Sequence, residues 1–586
     1  MLRALNYFLP VTLISWLLYI LVRIITQSIE LSQKQHPPDP EQPLPASFSI
    51  LQMYRKAAIC SDSTTCSNIG REILLTGGSA VDGALATLLC NGLMAMQSMG
   101  LGGGLLMNVY IQAEQRSYSI LARERAPRAI NKSLFQSDKI RSAHTIAVPY
   151  EVMGYAEAHK KFSHLPWAEL VRPTIKLCRT GFRLTKHQHD ALKANQKNVL
   201  QDKHLRRTFV DFNTGSFHAV NTHIMPSETL CDTYEMLAKN GPKDFYSGQL
   251  SKLLLADLNE LGSTIDERDL SSANVELKTS VVIPLVGGFK LHLVPPPGSG
   301  HIIGFIMNIL QTFHKDFESK KSEFNATDIH RIVEALKFGF VKRWEMDEDT
   351  DQKLLHNLTT PAYAEHLASF IDVNLVHSDP SHYGANMQLL SRVEHGTAHV
   401  SVLAPNGDAV SATSSINYYF GSGLSGARTA VLFNNALSDF AIEGQHNYFG
   451  LPNVAGRNCL KPERSPMSSM TPIIVTDQHK RVHLVVGAAG GTKIISALIP
   501  LLVRILWLKQ DIKQAIDAAR FHHQLLPDVL EYEFGLVEGL VSALKQRGHK
   551  TKRYRERGSA ICGIAKDGDG VYANADYRKD GGVAGF

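Results

Sequence analysis

The apolar residues of the chain are concentrated first in one unbroken run near its start. Nineteen uncharged, mostly apolar residues extend from Ala4 to Val22, between Arg3 and Arg23. At 1.5 Å per residue a helix of this length spans roughly 28 Å, close to the hydrocarbon thickness of a bilayer. No small-residue cleavage pattern follows, which favours an uncleaved anchor over a secretory signal peptide. The pattern therefore predicts one transmembrane helix over residues 4–25. One arginine on each side does not decide its orientation. The assignment of residues 1–3 as a short cytoplasmic tail rests on the glycosylation sequons described below.

A proline-rich stem follows the apolar run. Five prolines occur between Ser32 and Pro45 among mostly polar residues. Such composition favours an extended, largely unpacked linker, because proline lacks a backbone N–H and resists helix and sheet. We assign residues 26–50 to this stem and expect folded sequence from about residue 50.

Two helices are predicted early in the folded part. A helical segment begins near Ser63 and ends at a glycine pair. Ser79, with Asp82 three residues later, is typical of a helix N-terminus and opens a second apolar helix. Cys66 and Cys90 lie on these consecutive helices, so an antiparallel helix pair would make them the best disulfide candidates.

The pattern after residue 396 is dominated by strands. Two apolar runs, 397–403 and 409–417, flank Asn406-Gly407, the strongest short-range signal for a β-hairpin. Farther on, residues 481–508 indicate a strand, a glycine-rich turn at Gly490-Gly491 and a helix. Glycines directly before a helix present backbone N–H groups that suit an anion or a developing oxyanion.

Composition and charge exclude several functions. The 586 residues are 44% apolar and 20% charged, as in an ordinary globular protein. The net charge is +6 without a concentrated basic block, so we expect no nucleic-acid partner. Seven cysteines are too few for a disulfide scaffold. Three glycosylation sequons, at Asn131, Asn325 and Asn357, all follow the apolar run. They favour an extracellular or luminal position for the chain after this run, which would then be a glycoprotein.

Three groups of residues compete as the reactive centre. His395 and His399 have a spacing that suits two metal ligands on a helix, but their segment is predicted to be a strand, and we expect no metal. A serine hydrolase would need a Gly-x-Ser-x-Gly elbow, which is not present around Ser299 or Ser422. Gly396-Thr397 opens the strand-rich half. If the chain were cut before Thr397, the new α-amine could act as base for its hydroxyl.

A resemblance to a known family decides between these alternatives. The run from His395 to Asn417 resembles the start of the small subunit in the γ-glutamyltransferase family. Further resemblances, in chain order, are SMGLGGGL at 98–105, LARERAP at 121–127, PPPGSG at 295–300, SSMTP at 468–472 and VVGAAGGT at 485–492. The similarity extends from about residue 50 to Phe586.

The resemblance implies a fold and an activity. The fold is α/β, the four-layer αββα sandwich of N-terminal nucleophile hydrolases, here preceded by the single transmembrane helix. The precursor would cleave itself between Gly396 and Thr397 into a large subunit (51–396) and a small catalytic subunit (397–586). The enzyme would hydrolyse or transfer the γ-glutamyl group of glutathione, its conjugates or another γ-glutamyl donor, with water, an amino acid or a dipeptide as acceptor. This mechanism requires no cofactor. A type II plasma-membrane protein with an extracellular catalytic part is expected.

The resemblance also assigns roles to individual residues. Thr397 would be the nucleophile, and Ser415 would support its hydroxyl. Gly490 and Gly491 match the oxyanion-hole glycines. The donor's α-carboxylate would be held by Arg123, Ser468 and Ser469. Its α-amine would be held by Asn417 and Asp439. Cys66 and Cys90 match a family disulfide.

Two positions depart from the family's commonest pattern. Ser415 stands where threonine is usual, and it keeps the hydroxyl. Ala436 stands where a polar residue, often glutamate, helps Asp439 to bind the α-ammonium group. A catalytically weak or inactive membrane surface protein, or an acylase for a side chain without an amino group, is therefore an alternative function.

Restoring a carboxylate at this position tests the consequence of the departure. A hydrogen bond to a charged group contributes about 1.5–3 kcal/mol, or roughly 10- to 150-fold in affinity. We expect Ala436→Glu to lower the KM for a γ-glutamyl donor in steady-state kinetics. An unchanged KM would contradict this account of Ala436.

Overall fold

Two stacked seven-stranded β-sheets form the centre of the computed structural model. The structure describes residues 16, 18–23, 37–130, 141–319, 323–385, 396–441, 457–554 and 558–586. Sheet A has the strand order β1-β20-β19-β15-β14-β11-β10, and sheet B has the order β21-β2-β12-β13-β3-β4-β9. All neighbouring strands within these two sheets are antiparallel. The strands of sheets A and B are β1 (Gln52–Tyr54), β2 (Ala58–Ser61), β3 (Gly104–Ile111), β4 (Arg116–Ala122), β9 (Leu277–Thr279), β10 (Val281–Pro284), β11 (Lys290–Leu293), β12 (Gly396–Leu403), β13 (Ala409–Asn417), β14 (Ile473–Thr476), β15 (Val482–Ala489), β19 (Ala560–Asp567), β20 (Gly570–Ala575) and β21 (Gly582–Gly585).

Short strands form three smaller sheets outside this pair. They are β5 (Phe182–Arg183), β6 (Val210–Asp211), β7 (Ser216–Phe217), β8 (His223–Ile224), β16 (Phe521–His522), β17 (Leu530–Tyr532) and β18 (Thr551–Arg553).

Helices cover both outer faces of the sheet pair. They are α1 (Thr64–Leu75), α2 (Ala80–Met94), α3 (Glu151–Phe162), α4 (Trp167–Thr180), α5 (Lys186–Ala194), α6 (Gln196–Gln201), α7 (Lys203–Phe209), α8 (Glu228–Asn240), α9 (Gln249–Leu261), α10 (Glu267–Ser271), α11 (Gly300–Leu310), α12 (His314–Glu318), α13 (Ala326–Trp344), α14 (Gln352–Thr359), α15 (Pro361–Ala368), α16 (Lys493–Leu506), α17 (Ile512–Asp517) and α18 (Glu538–Gln546). One apolar core joins sheet B to α2, α3, α4 and α8, and a second joins sheet A to α11, α13 and α16. A third apolar cluster lies between the sheets. This arrangement confirms the predicted four-layer αββα sandwich.

Strands from both sides of the Gly396–Thr397 bond are interleaved in each sheet. In sheet B, β12 lies between β13 and β2, and β13 pairs with β3. In sheet A, β1 pairs with β20 and β11 pairs with β14. The two predicted subunits therefore share their backbone hydrogen-bond ladders instead of forming separate domains.

The local predictions agree with the structure where sequence signals were strong. Ser79 and Asp82 form a capping box at the start of α2, with N···O distances of 2.8 and 3.1 Å. The hairpin β12–β13 turns at Gly407, whose φ of +89° favours glycine. Strand β15 leads through a glycine turn into α16, as predicted.

The stem is extended, but its described part is not unpacked as we expected. Asp39 accepts hydrogen bonds from the Tyr532 hydroxyl (2.6 Å) and from Arg553 (3.0 Å). Ser47 donates to the Asp517 carboxylate at 2.8 Å. Prolines remove backbone donors from this segment, yet its carbonyl and side-chain oxygens remain acceptors for donors on the residues after 396. Residues 37–50 are thus held against the folded part.

The predicted membrane anchor over residues 4–25 lies mostly outside the described residues, as does the sequon at Asn131. Trp16 and residues 18–23 are helical, and Trp16, Leu18 and Tyr19 are each more than half exposed. Within the described ranges, none of the helices has both the length and the apolar composition that a bilayer crossing requires.

Three disulfides connect elements of the fold, and one of them joins the two sheets. Cys66 and Cys90 join α1 to α2, in agreement with the sequence prediction. Cys178–Cys231 joins α4 to α8, and Cys60–Cys562 joins β2 of sheet B to β19 of sheet A. Cys459 has no disulfide partner.

Candidate active site

Thr397 lies at the beginning of strand β12, where the hairpin register brings β13 beside it. Gly396 pairs with Asn417, and an irregularity in the ladder between Gly396 and Ala398 separates Thr397 from regular pairing. The Thr397 side chain is largely buried, with 6% of the residue surface exposed. Its hydroxyl oxygen is 3.4 Å from that of Ser415. The hairpin alone therefore places the predicted nucleophile beside its predicted supporting hydroxyl.

Ser415 also contacts the peptide bond that precedes Thr397. Its hydroxyl donates to the carbonyl oxygen of Gly396 at 2.6 Å and accepts from the backbone N–H of Asn417 at 2.9 Å. A donor on this carbonyl polarises it toward nucleophilic attack. Ser415 is thus placed to act on the carbonyl as well as on the nucleophile.

Only glycine fits at position 396. A Cβ atom there would lie 2.5 Å from the carbonyl carbon of Tyr418 and 2.7 Å from the backbone nitrogen of Tyr419. These distances are shorter than real Cβ contacts, and the neighbouring atoms are backbone. The tight turn of chain at Gly396 therefore depends on the absence of a side chain.

Charged side chains form one wall of the site. Arg123, which follows β4, is 2% exposed and donates to the carboxylate of Asp439 at 2.5 Å and to that of Glu124 at 2.7 Å. Asn417 donates to the other oxygen of Asp439 at 2.9 Å. Asp439 ends the short 3₁₀ helix Ala436–Asp439. These contacts bring together Arg123 after β4, Asn417 at the end of β13 and Asp439, which lies 316 positions after Arg123.

Burial sets the electrostatics of this wall. Burial raises the pKa of Asp439 to about 6, although Arg123 and the hydrogen bond from Asn417 lower it. Burial also raises the pKa of Glu124, against the influence of Arg123. For Arg123, burial lowers the pKa, but the carboxylates of Glu124 and Asp439 outweigh it, so that the pKa lies above its ordinary value. Asp439 therefore changes charge near pH 6 while the guanidinium stays protonated.

Ser468, Ser469 and the two glycines complete the site. The carbonyl of Ser468 accepts a hydrogen bond from the Ser299 hydroxyl at 2.7 Å, which fixes the loop before β14. Gly490 and Gly491 have φ values of +136° and +56°, in the region that favours glycine. Helix α16 begins two residues after Gly491, so its positive end faces the same region.

A single pocket, partly open to solvent, joins these parts. Its lining includes the predicted residues Arg123, Gly396, Thr397, Ser415, Asn417, Asp439, Ser468, Ser469 and Gly491. Gly490 is the one predicted catalytic residue outside this lining; it directly precedes Gly491. The structure thus brings nearly the whole predicted set to one place, although the residues span more than 360 positions of sequence.

Sequence reasoning missed two cations at the site. Arg343, in the last turn of α13, also lines the cavity, and burial lowers its pKa to about 10. Lys579 donates to the carbonyl oxygen of Thr397 and pairs with Asp62 at 2.5 Å. Neither residue lies in a motif or on a periodic pattern that indicates function, because only long-range folding brings them to Thr397.

Ala436 is buried beside the charged wall and does not line the cavity. Its methyl group packs in an apolar cluster with Ala126, Ala147 and Phe440. The position therefore offers no polar contact to a ligand.

The remaining candidates have structural surroundings. His399 lies between the hydroxyls of Thr413 (2.9 Å) and Ser401 (3.0 Å), and burial lowers its pKa to about 3. His395 lies outside the described residues. Of the other two sequons, Asn325 is exposed and caps α13, whereas Asn357 is half-buried in α14.

A buried group of His330, Glu334 and His549 has ligand atoms within 4.8 Å of one another. Lys337 donates to one oxygen of Glu334 at 2.9 Å, and the Tyr383 hydroxyl donates to the other at 2.6 Å. The Lys337 ammonium group already neutralises the Glu334 carboxylate, so we assign the cluster a structural role in the helical layer.

Comparisons with known proteins identify similar sequences and structures. A family model described as Gamma-glutamyltranspeptidase matches residues 66–586. The chain is similar to Scoloptoxin SSD14 of Scolopendra dehaani, with 37% identity over 548 residues that cover 92% of this chain and 94% of that protein. It is also similar to the Glutathione hydrolase 5 proenzyme of Mus musculus, with 34% identity over 547 residues, 91% of this chain and 93% of that protein. Among solved structures, cephalosporin acylase from Bacillus halodurans has the same fold, with a TM-score of 0.77 and 20% identity over 94% of this chain and 99% of that one.

Proposed function

The chain belongs to the γ-glutamyltranspeptidase family, and from this premise we propose that it is a self-cleaving γ-glutamyl hydrolase and transferase acting on glutathione or its conjugates. The observation that carries the proposal is the cavity in which Thr397, Ser415, Arg123 and Asp439 meet. Such an enzyme needs a nucleophile at the start of a strand, a hydrogen-bond donor on the preceding carbonyl and the charged wall.

Self-cleavage is the first step of the proposed mechanism. The Thr397 hydroxyl attacks the carbonyl carbon of Gly396 and passes its proton to the departing nitrogen, so that an ester replaces the amide. Ser415 stabilises the charge that develops on the Gly396 oxygen, to which it already donates at 2.6 Å. Water then hydrolyses the ester, which leaves a carboxylate on Gly396 and a free α-amine and hydroxyl on Thr397.

Donor binding uses the charged wall. In the structure Arg123 and Asp439 are paired with each other at 2.5 Å. The α-carboxylate and α-ammonium groups of a γ-glutamyl donor form a dipole of complementary charge, so the carboxylate would bind Arg123 and the serine hydroxyls while the ammonium binds Asp439 and Asn417. Each buried charge then keeps a partner, which avoids the cost of an unpaired ion.

Turnover would follow through an acyl-enzyme. The freed α-amine of Thr397 accepts the proton of its own hydroxyl, and the oxygen attacks the γ-carbonyl of the donor. The turn at Gly490-Gly491 and the start of α16 would stabilise the oxyanion. The rest of the donor leaves with a proton, and water or an acceptor amine then releases the γ-glutamyl group.

We further propose that residues 4–25 anchor the enzyme in the plasma membrane with the catalytic part outside. The run of uncharged residues and the exposure of Trp16, Leu18 and Tyr19 support this, since these side chains are not covered by the folded part. The docked stem would hold the catalytic part close to the bilayer. Glycosylation at Asn131, Asn325 and Asn357 belongs to the same proposal.

The alternative is a weak or inactive surface protein, favoured only by Ala436. Its buried methyl group removes one contact to the α-ammonium, but Asn417 and Asp439 remain in contact with each other at the cavity. An acylase for side chains without an amino group would tolerate the same loss. We favour the γ-glutamyl enzyme because the charged wall contains both the guanidinium and the carboxylate that a γ-glutamyl donor needs.

The proposed function makes three predictions, of which the first concerns processing. On a reducing denaturing gel, the deglycosylated full chain should give a fragment of 190 residues that begins Thr-Ala-His-Val. Thr397→Ala should give none. Ser415→Ala should slow cleavage by about 10²–10³-fold, as for loss of one oxyanion donor, and Ser415→Thr should keep it. A single intact chain for the unaltered protein would overturn the proposed function.

The second prediction concerns pH. Since Asp439 has a pKa of about 6 in the free protein and must be ionised to accept an ammonium group, kcat/KM for a γ-glutamyl donor should fall about tenfold per pH unit below pH 6. Above that pH the Asp439 carboxyl group is ionised, and this acidic limb of the pH profile ends. The processed Asp439→Asn variant should have a lower kcat/KM without the limb, whereas exposed Glu318→Gln should retain it. Persistence of the limb in Asp439→Asn would contradict the assignment.

The third prediction concerns the membrane. After alkaline carbonate extraction of expressing cells, the full chain should remain in the membrane pellet. A variant with residues 1–36 replaced by a cleavable secretion signal should be recovered from the medium. Recovery of the full chain from the medium would refute the anchor. Glycosidase shifts lost in Asn325→Gln and Asn357→Gln would place these residues outside the cytoplasm.

A further inference from the structure

The disulfide Cys60–Cys562 connects two parts of the molecule that self-cleavage would separate. Cys60 lies on β2 of sheet B, and Cys562 lies on β19 of sheet A, 502 positions later. Both residues are buried, 0% and 5% exposed, in the apolar cluster between the sheets. Their Cα atoms are 5.8 Å apart, within the usual range for a disulfide. The bond therefore crosses the centre of the sandwich.

The distribution of cysteines agrees with a link between the halves. Five of the seven cysteines precede the Gly396–Thr397 bond and two follow it. Four of the five pair within the first half, as Cys66–Cys90 and Cys178–Cys231. Cys60 is left in the first half, and its partner lies in the second.

We propose that the two subunits of the processed enzyme are joined covalently by Cys60–Cys562. The inference rests on the proposed self-cleavage, because without it the bond lies within one chain. To form the bond, the two thiols lose two protons and two electrons to a disulfide-bonded oxidant of the secretory compartment, which is reduced to a dithiol. The extracellular location proposed above would preserve the bond.

The link is not needed to hold the native subunits together. Strands β2, β3 and β1 of the large subunit pair with β12, β13 and β20 of the small one. These shared ladders and the apolar cluster between the sheets keep the subunits associated. The bond instead acts when the ladders open, since a small catalytic subunit that has partly unfolded stays tied to the chain that carries the stem and the proposed anchor.

Non-reducing and reducing denaturing gels of the full-length protein test the proposal. Cells that express it are treated with N-ethylmaleimide before lysis, so that Cys459 cannot exchange with the disulfides. We expect one species of full mass without reductant and two fragments with it. Tryptic peptide mapping without reductant should give one species in which residues 57–71 are joined to residues 558–566 and, through Cys66–Cys90, to residues 72–116. Fragment ions should assign the link to residues 558–566 to Cys60 and the link to residues 72–116 to Cys66.

Two outcomes would overturn the proposal, and they are distinguishable. Two fragments in both lanes would show self-cleavage without the link, and the proposed function would stand. A single full-length band in both lanes would show no cleavage, and the proposed function would fail together with the inference.

Matched variants separate this bond from the other disulfides. Cys60→Ser and Cys562→Ser, each made separately, should give two fragments without reductant while donor hydrolysis stays within about twofold. Cys178→Ser, which breaks a bond inside the large subunit, should leave one linked species. If a serine variant fails to accumulate, the peptide map of the unaltered protein decides the matter alone.

Discussion

The register of one β-hairpin is the constraint on which the site depends. Pairing of Gly396 with Asn417 sets three functional side chains, those of Thr397, Ser415 and Asn417, on two adjacent strands. The backbone of Tyr418 is so close to Gly396 that a methyl group would displace it. A shift of one residue in this register would turn each side chain to the opposite face of sheet B. The predicted nucleophile, its predicted supporting hydroxyl and one residue of the charged wall are therefore positioned by the same hydrogen-bond ladder.

The charged wall is stabilised by internal pairing that a donor can replace. Arg123 contacts two carboxylates, and the pKa of Asp439 is raised to about 6 because the effect of its burial is only partly compensated by Arg123 and Asn417. A ligand with one positive and one negative group restores full pairing, whereas a ligand with a carboxylate alone leaves Asp439 to compete for Arg123. Arg343 adds a second guanidinium to the cavity, which favours anionic groups on whatever binds. In the proposed mode of donor binding, recognition of the ammonium group therefore depends on Asp439 and Asn417, with no contribution from Ala436.

What the sequence could predict was local. The hairpin at Asn406-Gly407, the cap at Ser79 and the glycine turn before α16 each follow from neighbouring residues, and the structure contains all three. The membership of Arg123, Asp439 and Ser468 in one site came from the family resemblance, since nothing in their own segments predicts a common cavity. Arg343, Lys579 and the Cys60–Cys562 pair were missed because their positions depend on contacts between residues hundreds of positions apart. The docked stem was missed for the same reason, since composition shows that a segment lacks donors but not which donors it meets.

Interleaving of the two halves explains why cleavage and assembly need to occur in a fixed order. Strand β12 lies between β2 and β13, so its two neighbours come from opposite sides of the Gly396–Thr397 bond. Two separate chains would have to form these ladders by association, whereas a single precursor forms them by intramolecular folding. The hydroxyl of Ser415 reaches the Gly396 carbonyl only when β12 and β13 are paired, so cleavage requires a folded precursor. In the proposed mechanism the chain is then cut at one end of a strand that is already held on both edges, and the new terminus of Thr397 stays in the cavity where its chemistry would be needed.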